Sequence, residues 1–475
     1  MERRTRIVAT LGPATESPDM LDAILCQGVN VVRVNFSHGE VSEKSRYVAA
    51  VREAAKRCQK TVGILGDLPG PKLRVRIPAE LLLHVGDELL FTRNANDAES
   101  ITVTEPEYLR EVQPGQRLLL DDGRIQLVAE AQEGERLRTC VTVGGKLLPN
   151  KGVNLPDTRL SIPALTEHDR EALQTAAEAQ VDWLALSFVR HATAADELRA
   201  AAREVGLEVP IIAKMERPEA IDEAEEIIEA FDGIMVARGD LGVEIPLERV
   251  PVVQKKLITL ARAAGKPVIT ATDMLDSMRN NPRPTRAEAS DVANAIYDGT
   301  DAVMLSGETA VGSFPVEAVA CMDRIARQVE TQLRDDPRYH LKLPIGPVDD
   351  HVTQAICDLA YEIKADAIVT PTNSGRTARL IARHRPSARI VAPAPSECVL
   401  RRMQLIWGVQ AVPLEDSLPP GADRLEASIH SAFVHGAIEP GQLVVMAAGH
   451  PVEGGQRFPT IRMVRVGEKG QSCEP

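Results

Sequence analysis

Short, nearly continuous apolar runs recur along the chain, and most are followed by a stretch whose apolar positions have helical spacing. In order they are RIVATLG (6–12), VNVVRVNFS (29–37), TVGILGDL (61–68), VDWLALSF (181–188), VPIIAKME (209–216), DGIMVARGD (232–240), PVITATDM (267–274) and DAVMLSGET (301–309). Runs of this kind predict strands of a parallel sheet that is covered on both faces. The segments between them, RPEAIDEAEEIIEA and RAEASDVANAIYDG among them, read as the covering helices. Eight such β/α units favour a closed (β/α)8 barrel, a TIM barrel, over an open sheet.

One connection breaks the rhythm. Roughly 110 residues separate the third run from the fourth, far more than a βα connection needs. GDELLFT, ESITVTE, QRLLLDDGRIQLV and RLRTCVTVGG in this stretch alternate like short strands and are divided by turn residues. They predict a small inserted β-barrel domain over 71–155, placed above the barrel mouth as a lid. The barrel itself is then assigned to 1–70 and 156–340. Past the Pro-containing connection DPRYHLKLPIGPVDD a second α/β pattern of about five strands occupies 341–475.

Composition adds boundaries rather than direction. The chain has 475 residues, 44% hydrophobic and 26% charged, enough for several cores. A net charge of -13 argues against a general nucleic-acid surface but leaves small anions open, since a few local cations override the balance. Seven cysteines without a CxxC pair suggest neither a disulfide framework nor a zinc site. No apolar run approaches the ~20 residues that cross a bilayer. The start, MERRTRIVATLG, does not read as a signal peptide, so a cytoplasmic location without membrane partners is expected.

If the barrel forms, the polar residues at its strand ends face one mouth. They are Arg33, Asn35, Ser37 and His38; Asp67; Lys214 and Glu216; Gly239 and Asp240; Thr272; and Ser306 and Glu308. Lys214 and Glu216 are two apart, so in an extended chain both side chains point the same way. Glu216 and Asp240 come from neighbouring strands and suit a hard divalent cation such as Mg²⁺. Lys214 adds a positive charge for a phosphoryl or enolate oxygen, and Gly239 lets backbone approach a ligand. A lone Lys/Glu pair at a strand end is more often a solvated ion pair; the weight lies in convergence from several strands. The loop TNSGRT (372–377) between a strand and a helix reads equally as a phosphate nest or a capped helix start. No GxxxxGK[ST] is present, which removes a P-loop kinase. A barrel aldolase or lyase acting on an enolate, and a Schiff-base enzyme using Lys214, remain as rivals.

RVNFSHG (33–39), GDLPGPKLR (66–74), NKGVNLP (150–156), IIAKMERPEAI (211–221), VARGDLGVEIP (236–246), TATDMLDSM (270–278) and RPTRAEASDVANAIYDGTDAVMLSGETAVG (283–312) resemble the pyruvate kinase family. The likeness covers essentially the whole chain. It implies phosphoryl transfer from phosphoenolpyruvate to ADP, the last step of glycolysis, in a homotetramer with a phosphorylated metabolite activator. It implies that Glu216 and Asp240 hold Mg²⁺, that a second Mg²⁺ arrives with ADP, and that Mn²⁺ can substitute. Lys214 would stabilise the moving phosphoryl group. Arg33, Lys214, Gly239, Asp240 and Thr272 would contact phosphoenolpyruvate, with Thr272 and Ser306 near the site of enolate protonation. Asn35, His38, Arg74 and Lys151 would lie on the nucleotide side, and Thr372, Ser374, Gly375, Arg376 and Thr377 would form the effector loop.

The chain departs from the family's common pattern at a potassium site. Asn35, Ser37 and Asp67 are present, but Leu68 takes a Thr position, Pro69 a Lys position and Lys72 a Glu position. The ammonium of Lys72 is expected to replace the ion, so K⁺ is not expected to be required.

Overall fold

Eight parallel strands close on themselves: β1 (Arg6–Thr10), β2 (Val31–Asn35), β3 (Gly63–Leu68), β4 (Trp183–Leu186), β5 (Ile211–Met215), β6 (Gly233–Ala237), β7 (Val268–Ala271) and β8 (Ala302–Leu305). Each pairs with its neighbours in sequence, and β8 returns to β1 with Ile7 opposite Val303. Every strand falls inside one of the apolar runs. The computed structural model describes residues 3–36, 41–94, 100–333, 348–414, 423–451 and 457–475. The barrel interior is packed rather than hollow, filled by Val8, Val31, Leu65, Ile212, Met235 and Ile269 among others. Covering helices start where the sequence supplies caps. Thr166 and Asp169 form a reciprocal capping box for Glu167–Glu178, as do Thr285 and Glu288 for Arg286–Tyr297.

Between β3 and β4 lies the inserted domain, a seven-stranded antiparallel sheet in the order Glu88–Thr92, Arg136–Val143, Ile125–Glu133, Arg117–Leu120, Gly152–Asn154, Leu73–Arg76 and Thr102–Val103. A bridge from Phe91 to Ile101 brings its two edges together, so the sheet curls into a small barrel around Phe91, Leu118 and Leu127. Its entry is pinned at Gly70, whose φ is 67° and whose N–H donates to Asp169 at 2.8 Å. A Cβ at Gly70 would lie 2.9 Å from Ser187 and Phe188, so only glycine fits the turn.

The carboxyl-terminal unit is a six-stranded sheet in the order Val409–Pro413, Arg389–Ala394, Ala367–Val369, Leu443–Pro451, Arg457–Val466 and Ser472–Cys473. The first four are parallel and the last two antiparallel. Five strands were expected. The sixth has only two residues, both exposed, and leaves no apolar pattern to read.

This unit stoppers the end of the barrel opposite the mouth. Leu405 joins the barrel's interior cluster. Around it, Arg6 and Trp183, the first residues of β1 and β4, donate to the carbonyls of Ile406 (2.8 Å) and Arg402 (3.1 Å). Arg385, 1% exposed, donates to Gly299 O at 2.7 Å and pairs with Asp301 at 3.1 Å. Arg4 and Arg385 both lie over the Trp407 ring, 5.3 and 4.7 Å from its centre.

His384 is buried in this arginine-rich seam. Burial first, and then the Arg383 and Arg262 guanidiniums, push its imidazole down to about 4. An unfolded histidine takes its proton near pH 6.5, so the unfolded chain binds more protons than the folded one below that pH. Stability should therefore be fully present above pH 6.5 and fall by about 3 kcal/mol as pH drops toward 4. Denaturant titrations from pH 7 to 4 should show a shallower loss for His384→Gln than for the parent; equal slopes would mean that another group governs this limb.

Candidate active site

The carboxyl ends of the eight strands open at one mouth, and the residues pooled from the sequence sit on or just past them. Arg33 and Asn35 are on β2 and Asp67 on β3. Lys214 is on β5, with Glu216 one residue beyond it. Thr272 and Ser306 directly follow β7 and β8. One expectation is corrected: the run 232–240 does not stay extended. The chain turns helical at Arg238, so Gly239 and Asp240 lie in the first turn of Arg238–Glu244. A polar Arg-Gly-Asp sequence cannot continue a buried strand, and a carboxylate is favoured in a helix's first turn.

A continuous line of charge crosses the rim. Arg33 contacts Asp67 through Nε at 2.7 Å and Nη2 at 2.5 Å. Lys214 Nζ lies 3.5 Å from Asp67, 2.9 Å from Glu216 and 2.7 Å from the hydroxyl of Ser187, to which it donates. Ser187 in turn donates to the carbonyl of Leu68 at 2.7 Å. Burial pulls Lys214 down, but Asp67 and Glu216 outweigh it and hold the ammonium above the ordinary lysine range. A permanently charged lysine is suited to holding an anion and unsuited to Schiff-base attack. Burial likewise pushes Asp67 up, and Lys214 with Arg33 more than reverses this, so Asp67 stays ionised.

Thr272 is held in an unusual backbone conformation, with φ at 64°. For a β-branched residue this is strain of the kind that clusters at functional sites. Its hydroxyl accepts from Gly239 N–H at 2.6 Å and donates to Ala271 O at 2.7 Å, and Arg238 donates to the Thr272 carbonyl at 2.7 Å. A Cβ at Gly239 would lie 3.4 Å from Thr272, an ordinary contact, and its φ is not positive. Among the described residues, therefore, no atom demands glycine there. Ser306 is fixed through its N–H, which donates to Glu308 at 2.7 Å, while its own hydroxyl is buried and has no hydrogen-bond partner among the described residues.

The mouth is tied to the inserted domain in two places. Lys72 reaches Asp240 at 3.1 Å and Asp122 at 3.8 Å. Its ammonium thus pairs with Asp240. The pairings found for Asp67 are instead with Arg33 and Lys214. Deeper down, Glu244 accepts from Arg217 and from Asn154, both at 2.7 Å. This joins the residue after Glu216, the helix of Asp240 and the last strand of the inserted domain.

Glu216 and Asp240 fit a divalent cation by their donor chemistry. Glu216 is fully buried, and its Oε2 accepts the Phe188 N–H at 2.8 Å. Its Oε1 lies 2.9 Å from the Lys214 ammonium and, among the described residues, has no further partner. A buried carboxylate oxygen with one ammonium beside it keeps a lone pair for a metal ion. Among the described residues no three Asp, Glu, His or Cys side chains gather as a metal cage. Two carboxylates with the other positions left to substrate and water is the usual arrangement for Mg²⁺.

Arg74 lies on the strand Leu73–Arg76, and Lys151 directly precedes the strand Gly152–Asn154 that pairs with it. Gly152 is opposite Arg74, Arg74 donates to Asn150 O at 3.1 Å, and Lys151 pairs with Asp121 at 2.6 Å. Ser37 and His38 lie outside the described residues. The loop of residues 372–377 is internally capped. Thr372 accepts from Gly375 N–H at 2.9 Å and Ser374 from Arg376 N–H at 3.4 Å, Gly375 has a φ of 80°, and Arg376 pairs with Asp349. Thr377 begins the helix Arg376–Ala382 as its second residue.

Sequence reasoning passed over Ser187, Arg217 and Arg238. Ser187 was within reach, because it is a polar residue near the end of the fourth run as Lys214 is near the end of the fifth. Arg217 and Arg238 carried no signal beyond their place next to a site residue.

No helix among the described residues is long and apolar enough to cross a membrane. Residues 2–319 match the family model "Pyruvate kinase, barrel domain", and residues 350–464 match "Pyruvate kinase, alpha/beta domain". The chain is 45% identical over 464 residues to pyruvate kinase of Geobacillus stearothermophilus, covering 95% of this chain and 78% of that one. It is 44% identical to pyruvate kinase 2 of Synechocystis over 94% of this chain and 77% of that one. With pyruvate kinase of Clostridium acetobutylicum the identity is 39%, over 94% and 96% of the two chains. A barrel with a charged rim, the inserted sheet after its third strand and these matches along nearly the full length agree: the chain belongs to the pyruvate kinase family.

Proposed function

We propose that the charged rim carries out this chain's reaction, transfer of the phosphoryl group of phosphoenolpyruvate to ADP to give pyruvate and ATP. The observation that carries the assignment of roles is Lys214. It is a buried ammonium fixed by Asp67, Glu216 and Ser187, with Arg33 bound to the far side of Asp67. Phosphoryl transfer depends mainly on positioning and electrostatics, which fixed cations provide. Lys214 and Arg33 bind and orient the phosphoryl group and carry its negative charge as it moves. The Gly239 backbone and the Thr272 hydroxyl seat the carboxylate end of the substrate. Ser306, whose hydroxyl has no partner among the described residues, passes a proton toward the enolate carbon in the neighbourhood of Thr272. Glu216 and Asp240 would hold Mg²⁺, or Mn²⁺ in its place, and a second Mg²⁺ comes with ADP. Bound there, the ion would supply Lewis-acid stabilisation of the negative charge on the phosphoryl oxygens. Arg74 and Lys151 of the inserted domain, with Asn35 and His38 from the barrel, bind the nucleotide.

Three finer points belong to the same reading. Potassium is not required, because Asp67 already faces two cations, the Leu68 carbonyl takes the Ser187 hydroxyl, and Lys72 brings another ammonium to the rim. A phosphorylated metabolite acts as activator at the loop of Thr372, Ser374, Gly375, Arg376 and Thr377. The chain works as a homotetramer, for which exposed Leu247 and Val252 offer apolar surface; light scattering should give the mass of four chains, and a single-chain mass would contradict it.

A coupled assay of pyruvate from phosphoenolpyruvate and ADP tests the reading. Turnover should be the same in tetramethylammonium and potassium salts. Sugar phosphates or AMP should activate the parent but not Ser374→Ala/Thr377→Ala. Strong potassium activation would remove the role of Lys72, and undiminished activation of the double variant would remove that of the loop.

A further inference from the structure

Two cysteines that play no part in the reaction meet at the end of the barrel away from the rim. Cys26 is in the last turn of α1 (Pro18–Gln27), and Cys58 follows α2 (Val41–Arg57). Their sulfur atoms are 3.1 Å apart. Cys26 is exposed and Cys58 partly buried. Three neighbours hold the pair in place. Arg57 grips Asp22 of α1 through two hydrogen bonds of 2.9 and 2.7 Å. Lys60 donates to the carbonyls of Leu25 (2.7 Å) and Cys26 (3.0 Å). The Cys58 thiol also lies 3.7 Å from the Asp22 carbonyl.

We infer that Cys26 and Cys58 form a site of reversible oxidation, closing to a disulfide that clips α1 to α2. An S–S bond of ~2.05 Å requires the sulfurs to approach by about 1 Å, within reach of a side-chain rotation. The oxidant is hydrogen peroxide. The Cys26 thiolate attacks one peroxide oxygen, the O–O bond breaks, and with one proton this leaves a Cys26 sulfenic acid and water. The Cys58 sulfur then attacks the Cys26 sulfur, the S–O bond breaks, and the Cys58 proton leaves with the hydroxyl as a second water. Two thiols are oxidised and one peroxide is reduced. The order follows from access and from charge: burial, then contact with Cys26, pushes the Cys58 thiol up to about 11. Cys26 therefore meets the oxidant and Cys58 resolves the product.

The closed loop contains β2, the strand of Arg33 and Asn35, but the clip lies at the strand's starting end. It should stiffen the barrel and leave turnover unchanged. Full-length protein treated with hydrogen peroxide should lose two of its seven thiols, yield a Cys26–Cys58 cross-linked peptide by non-reducing mass spectrometry, and recover both thiols with dithiothreitol. Its Tm should rise by about 4 °C, a shift absent from Cys26→Ser and Cys58→Ser. The inference is overturned if both cysteines remain alkylatable after peroxide. It is equally overturned if Cys26 proceeds to sulfinic acid while Cys58 stays free.

Discussion

Lys214→Met should lower kcat by about 10²–10³, the loss typical of removing one preorganised electrostatic donor. The KM for phosphoenolpyruvate should change little, because an ammonium aimed at the migrating group acts mainly in the transition state. Methionine keeps an unbranched stem out to the ε carbon and removes the terminal ammonium with its charge and hydrogen bonds. The change leaves Glu216 buried without its cation, while Asp67 retains Arg33. Removing one partner of a buried pair commonly costs about 3–5 kcal/mol of stability, so the variant should also melt earlier, and rates belong on protein shown to be folded. Ser187→Ala separates position from charge: it leaves the ammonium and deletes only the hydroxyl that fixes it at 2.7 Å. A loss of at least about tenfold is expected there, since a hydrogen bond to a charged group contributes about 1.5–3 kcal/mol. Near-normal kcat in Lys214→Met would mean that some other group carries the phosphoryl charge.

The barrel was legible because a parallel strand buried on both faces is apolar along its length, and all eight such runs became strands. The rim was legible because closure sends every strand end to one mouth, so Arg33, Asp67, Lys214 and Thr272 could be pooled before any contact was known. Local pattern failed where the outcome depends on distant partners. In the run 232–240 the polar Arg-Gly-Asp marks where the buried strand must stop, but the helix that starts at Arg238 is stabilised by distant partners, the Ala271 and Thr272 carbonyls and Asp291. Lys72 could be assigned to the rim but not to a particular carboxylate, since its pairing with Asp240 spans 168 positions. The Arg217–Glu244–Asn154 network was hidden for the same reason: three residues from three separate motifs meet only after folding. The contact of Cys26 with Cys58 likewise depends on how two helices pack.

Metal binding rests on two carboxylates, and replacing them should have the other large effect. Glu216→Gln keeps an acceptor for the Phe188 N–H, and Asp240→Asn keeps the shape of the helix turn, so both variants should fold. Neither amide supplies the negative charge that a hard divalent ion needs. Altering a residue that only supports a ligand already costs 10–100-fold in affinity; losing a ligand should cost at least about 100-fold. Titration of the nucleotide-free protein with Mn²⁺, with the free ion followed by its paramagnetic resonance signal, reads this without relying on turnover. One tightly bound ion per chain in the parent, and none in Glu216→Gln/Asp240→Asn, is the expected result. Undiminished binding in the double variant would place the ion elsewhere and contradict the assignment of this rim as the seat of phosphoryl transfer.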